Sequence, residues 1–210
     1  LIATSLFITS CSNIEVSNND INKPLLVDEN IKFIDFLNEE WDKTLNNNPL
    51  FASYVGDKRS NNKINSNSIE QYLVEYQSNI ESLKSLKEIN ISKLTEDNVL
   101  NYKLYEFDIT REIEEANFPT YFLRINQRGG IQSFYETGNR LVYTSSKDYY
   151  DWLSRLDQFS QNINNFLDIN KEGLENGITQ PKMITEGVIK QIQAIIDSDI
   201  ENNPYMKVFI

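Results

Sequence analysis

Apolar residues in this chain recur at three- and four-residue intervals over long stretches, the spacing that gathers them on one face of an α-helix. Ile31, Ile34, Leu37, Trp41 and Leu45 form the first such stripe, widened by Phe33 and Phe36. With Asp28 as N-cap, the pattern predicts a helix from about residue 28 to 46 with that stripe buried. Pro49, Gly56 and several Asn then predict a loop over 47–67 with one short helical turn. A second helix is expected from Ser68 to about Ile89, with Tyr72, Leu73, Tyr76, Ile80, Leu83 and Leu86 facing inward. Thr95 caps a third, which carries Val99, Tyr102, Tyr105, Ile109 and Ile113 and ends by Pro119. The fourth opens at Ser145 or Ser146, with Asp148 in its first turn, and runs towards Glu175 with Gly177 at its C-cap. The fifth starts at Pro181 and carries Met183, Ile184, Val188, Ile192 and Ile195. The expected fold is all-α, a bundle of about five long amphipathic helices with an irregular loop at about 119–143.

Composition removes whole classes of function. A chain of 210 residues can bury roughly 70% of its unfolded surface, enough for one sizeable domain or two small ones. Twenty Lys and Arg against 31 Asp and Glu give a net charge of −11, the wrong sign for neutralising phosphates, so nucleic acid is excluded as a partner. The same sign argues against long-range attraction to anionic lipid headgroups. There is no histidine, which removes Ser-His-Asp, Cys-His and His-based zinc sites together. The best acidic clusters, Glu39-Glu40 and Glu112, Glu114 and Glu115, point around amphipathic helices instead of converging, and read as solvated faces. No catalytic residue, metal ligand or cofactor is assigned to this chain.

One stretch breaks the helical pattern. The run from Tyr121 to Ile131 combines an apolar segment, Asn126-Gln127, two arginines and Gly129-Gly130. Arg124 and Arg128 could clamp a carboxylate, while the glycines would let backbone N–H groups approach a ligand closely. The competing reading is a plain turn, with Asn126 and Gln127 satisfying exposed backbone and the arginines pairing with the acidic surface. The candidate substrate-contacting residues are therefore Arg124, Asn126, Gln127, Arg128, Gly129 and Gly130.

At the other end, the only cysteine closes the tetrapeptide Ile8-Thr9-Ser10-Cys11, which resembles a bacterial lipobox. Residues 1–11 are then expected to be the truncated tail of a lipoprotein signal ending at the lipidated Cys11, and 12–27, rich in Asn and Ser, a flexible tether. The apolar run is shorter than the roughly 20 residues of a spanning helix. The other reading is a buried N-terminal segment whose cysteine is an ordinary small hydrophobe. Lipidation implies attachment to the membrane of the bacterial cell envelope. Ser12 in place of Asp favours the outer membrane in a Gram-negative host.

Four segments resemble one family in its own order. Pro49-Leu50-Phe51-Ala52-Ser53-Tyr54-Val55-Gly56 resembles the Pro-x-x-Ala-x-x-x-Gly element of the bacterial "domain of unknown function 885" proteins. Asn126-Gln127-Arg128-Gly129-Gly130 resembles that family's Asn-Gln-x-x-Gly loop. Asp148 to Leu156, including Trp152-Leu153 and Arg155, resembles its Asp-Tyr-x-x-Tyr/Trp-Leu-x-Arg-Leu helix. Gly173, Gly177 and Pro181 match its spaced Gly-x-x-x-Gly-x-x-x-Pro. The resemblance implies a zinc-dependent, gluzincin-like peptidase lipoprotein whose metal lies around a His-Glu and Gly-His element in a C-terminal half. Residues 28–210 would be the helical N-terminal region of that longer domain, without the metal site, supplying one wall of a cleft for a peptide substrate. The alternative is a non-catalytic helical envelope lipoprotein that acts as a binding or scaffold module.

Overall fold

The structure, a computed structural model, describes residues 28–210. Cys11 and the segments 1–11 and 12–27 lie outside the described residues. Within them the chain forms α1 (Glu29–Asn47), α2 (Pro49–Tyr54), α3 (Ile69–Lys87), α4 (Glu96–Glu115), α5 (Tyr135–Arg140), α6 (Ser146–Glu175) and α7 (Lys182–Ile196), with no strand. Three single 3-10 turns, Ile91–Lys93, Thr120–Leu123 and Ile131–Ser133, join them. The chain is all-α. The five long helices lie where the apolar spacing places them, and α2 is the helical turn expected in the 47–67 loop. The stretch expected to be irregular at about 119–143 contains two of the 3-10 turns and the short α5.

Helix ends follow local chemistry. Asn30 N–H donates to the Asp28 carboxylate at 2.7 Å, Gln71 N–H to the Ser68 hydroxyl at 3.1 Å and Asn98 N–H to the Thr95 hydroxyl at 3.4 Å. Each satisfies one donor that the first helical turn leaves free. At the start of α6 the Ser145 N–H donates to Asp148 at 2.9 Å. At its end Ile178 N–H returns to the Gly173 carbonyl at 2.7 Å around Gly177, whose φ is +72°. That is a Schellman closure.

Helices α1, α3 and α4 enclose one core of Phe33, Phe36, Leu86, Ile89 and Tyr102. Phe36 meets Tyr105 edge-on, with ring centroids 5.2 Å apart. The face of α4 expected to be inward is inward, with Tyr102 and Ile109 buried. That of α1 is not. Ile31, Ile34 and Trp41 are 57%, 43% and 48% exposed, whereas Phe33 and Phe36 are buried. Helix α1 carries two apolar stripes, and the one that packs holds the larger aromatic area. Leu73 of α3 is likewise exposed, and Ser82 takes an inward position.

The long α6 organises the rest. It buries Trp152, Phe166 and Ile169, and Phe122 of the Thr120–Leu123 turn is buried as well. Phe134 is sandwiched between Phe159 and Trp152, with centroids 4.3 and 5.5 Å away. This fixes the irregular segment against the helix and presents its tip, residues 124–130, towards α7.

Candidate functional site

Two of the sequence motifs meet in space, and their meeting is structural. Arg155 of α6 is fully buried. Its Nε donates to the Lys63 carbonyl at 2.8 Å, and its Nη2 donates to the Pro49 carbonyl at 3.1 Å and the Ser53 hydroxyl at 2.6 Å. One guanidinium thus pins both ends of the α2 loop to the middle of α6. One turn earlier Asp151 accepts from Lys147 at 2.5 Å, and two turns earlier Asp148 accepts from Lys58 at 2.6 Å. Lys58 and the donors of Thr144 and Ser145 hold the Asp148 carboxyl well below the usual carboxylate range. Burial pushes the Arg155 guanidinium down, with Asp151 opposing. The clamp uses charge to hold a loop; Arg155 Nη1 is left without a partner among the described residues, and Ser53, Lys58 and Asp148 border a small cavity of about 120 Å³.

The segment 124–132 is built differently. Asn126 N–H donates to the Gly129 carbonyl at 2.9 Å and Gly129 N–H returns to Asn126 at 3.3 Å, so Gln127 and Arg128 occupy the tip of a tight turn. The Asn126 side chain accepts from Arg128 N–H at 2.9 Å, which stiffens the tip. Gly130 sits at φ +137°, and a Cβ there would come within 2.7 Å of Gln132 Oε1. Only glycine fits that position without strain. Buried Gln132 donates to the Asn126 carbonyl at 2.6 Å and to Gln191 of α7 at 3.2 Å, while Gln191 donates to the Gln127 carbonyl at 3.1 Å. Gln127 lies so close over Gly187 that a Cβ on that residue would overlap its side chain. A chain of carboxamides therefore fastens the turn to α7 from below.

The six candidates do not share one surface. Gln127 and Arg128 line a groove of about 370 Å³, closed by Gln132, Gln191, Ile195 and Asn202. Arg124 and Gly130 line a separate cavity of about 200 Å³ whose floor is Phe134, Phe159 and Phe166. Arg124 lies over the Tyr72 ring, 5.9 Å from its centroid. Asn126 shapes the turn through its backbone and side-chain hydrogen bonds, and Gly129 completes it. Neither arginine forms an ion pair among the described residues, whereas Arg59, Arg111 and Arg140 each do.

A polar cleft of about 260 Å³ between α1, α3 and α4 escaped the sequence reading. Glu40 does not belong to a solvated face: it accepts from the Tyr105 hydroxyl at 2.8 Å, the Ser82 hydroxyl at 2.9 Å and Lys43 at 3.2 Å. Glu112, on the same wall, accepts from Asn79 at 3.1 Å, and burial raises its carboxyl pKa. Glu40 follows Phe33 and Phe36 by seven and four positions, and that spacing was the available signal. The groups satisfy one another, so the cleft holds α1 onto α3 and α4.

The zinc implied by the resemblance finds no ligand set here. The chain has no histidine, and among the described residues no three His, Cys, Asp or Glu side chains are grouped to hold a metal ion. No helix among them is long and apolar enough to cross a membrane.

These observations define an all-α unit in which one motif pair locks a loop to the longest helix and another motif builds a turn on α7. Residues 49–208 match the family described as bacterial protein of unknown function (DUF885), and the chain belongs to that family. The match begins at Pro49, whose carbonyl Arg155 holds, and leaves α1 outside. No curated protein and no solved structure matches the chain.

Proposed function

We propose that this chain is the helical, substrate-facing part of a longer, lipid-anchored hydrolase of the peptidase kind, held at the cell envelope through Cys11. The observation that carries the reading is Arg128. In a chain of net charge −11, its guanidinium stands on a groove wall without an ion-pair partner among the described residues, the carboxylate in that groove, Glu136, being paired with Arg140, at the tip of a turn fastened from beneath. A guanidinium in that setting suits a carboxylate or carbonyl oxygen of a peptide. The exposed carboxamide of Gln127, beside it on the same groove, is a further polar group that a peptide backbone can meet. Gly130 supports the turn instead of the substrate, because its positive φ is what lets the chain reach Ile131.

Bond cleavage is assigned to no described residue. The zinc of the resemblance would be held elsewhere in the parent protein, and this region would position the peptide. The test is to express the full-length precursor in a Gram-negative host and follow both its location and its hydrolysis of a mixed peptide library. The expected outcome is a membrane-partitioning protein that cleaves peptides and loses cleavage on chelation, with Cys11→Ser releasing it to the soluble fraction. A full-length protein that binds peptides without cleaving them would replace this reading with that of a scaffold module.

A further inference from the structure

We infer that the outward stripe of α1, formed by Ile31, Ile34 and Trp41 and continued by Phe51 of α2, lies on the lipid surface to which Cys11 tethers the chain. The inference rests on the lipid-anchor reading above and adds which face of the protein meets the membrane.

Ile31, Ile34, Asn38, Trp41 and Leu45 fall within about 80° of one another around a helix. Ile31, Ile34 and Trp41 are exposed apolar side chains, while Leu45 at the far end of the arc is buried; Phe51, also exposed, sets its ring edge-on to Trp41 with centroids 5.8 Å apart. No charged residue interrupts that arc. The acids Asp35, Glu39 and Asp42 stand beside it. Sixteen residues, 12–27, separate Cys11 from Asp28, a chain that reaches at most about 55 Å when fully extended. A lipid on Cys11 would therefore keep α1 near the bilayer at an effective concentration in the millimolar range. Under that condition a patch too weak to bind membranes from free solution suffices. An indole at the edge of such a patch is suited to the headgroup level, where its ring is buried and its N–H stays wet. The flanking acids disfavour anionic headgroups, so the surface is zwitterionic lipid. Helix α4 carries a second exposed stripe, Leu100, Leu104 and Phe107; its start is hydrogen-bonded to Asn30 beside the tether, but it has no tryptophan, and the α4 variant below separates the two faces.

The chain has two tryptophans, and Trp152 is 1% exposed, so Trp41 can be read alone. The lipidated protein carrying Trp152→Phe is placed in phosphatidylcholine vesicles with brominated acyl chains. Trp41 emission should shift to shorter wavelength and be quenched by the brominated lipid, while accessibility to aqueous iodide falls at least threefold. Ile31→Ser with Ile34→Ser should abolish the shift while the protein still floats with the vesicles; Leu104→Ser with Phe107→Ser should leave it intact. Trp41→Phe with Trp152 retained should show no vesicle response, which guards against a fold change in the Trp152 variant.

Vesicle-bound protein whose Trp41 remains as open to iodide as in solution overturns the inference. So does loss of the shift in the α4 variant, or Trp41 protected without lipid in a sedimenting dimer. Failure of the anchor reading is distinct: the wild type and Cys11→Ser would then both fail to float. The inference would fall with it, because the patch is too weak to hold the protein on lipid without the tether.

Discussion

Arg155 and Arg128 place the same guanidinium in opposite circumstances. Arg155 is wholly buried, and three of its partners are main-chain carbonyls or a hydroxyl on a loop 92 to 106 residues away in sequence. Arg128 is exposed, forms no ion pair among the described residues, and has beneath it a turn whose every constraint comes from neutral amides. The first arrangement spends its charge on the fold, since a buried cation must be met by hydrogen bonds or it destabilises the state that buries it. The second leaves its charge available. Two segments that look equally distinctive in sequence therefore do different work.

Breaking the clamp should have the largest effect. Arg155→Ala takes the guanidinium donor from the Lys63 carbonyl and the Ser53 hydroxyl, and one of two side-chain donors from the Pro49 carbonyl, in a closed space, and should lower unfolding free energy by about 3–5 kcal/mol. Urea denaturation gives that figure directly; a loss below 1 kcal/mol would mean that the loop does not depend on α6. Gly130→Val comes next. Positive φ and the contact with Gln132 Oε1 together should cost about 1–3 kcal/mol. Any fall in activity of this variant should track its lost stability.

A third experiment uses pH on the clamp side. The folded-state pKa of Asp148 is lowered by Lys58 and the donors at the start of α6, so its stabilisation is present above the ordinary carboxylate pKa of about 4 and is lost as pH falls through the folded value. Asp148→Asn should therefore melt below the wild type at neutral pH, and the gap should narrow only below about pH 4. A gap that is constant with pH would assign the effect to packing. The fourth is an expected null: titrating zinc into residues 28–210 should give no stoichiometric micromolar binding by calorimetry, because scattered carboxylates make poor zinc sites.

Helix ends were legible in the sequence because capping is local. Asp28, Ser68, Thr95, Asp148 and Gly177 each act within a few residues of themselves. Helix faces were legible where one stripe clearly outweighs the other. On α4 the alternatives are unequal and the inward set is as expected, but α1 offers Ile31-Ile34-Trp41 on one side and Phe33-Phe36-Glu40 on the other. Periodicity reports that a stripe is present without saying which one finds a partner. Glu40 compounded this, since an acid reads as solvent-facing until Tyr105 and Ser82 are placed beside it.

The site shows the same division. Asn126-Gln127-Arg128-Gly129-Gly130 was legible as a special loop, and the demand for glycine at Gly130 is a property of the backbone there. Which cavity each side chain lines was not, because it depends on Phe159 and Phe166 of α6 and Gln191 of α7, all distant in sequence. Arg155 was visible only as part of a motif. Its partners are main-chain carbonyls, which leave no mark in a sequence.

The central claim, that Arg128 serves substrate and not fold, is tested by Arg128→Ala in the full-length protein, with melting temperature and peptide hydrolysis measured on the same preparation. Stability should change by no more than about 1 kcal/mol, roughly 2–4 °C for a chain of this size, while kcat/KM falls at least tenfold. Unchanged hydrolysis, or hydrolysis lost only in proportion to melting temperature, would contradict the claim and return the turn to the fold.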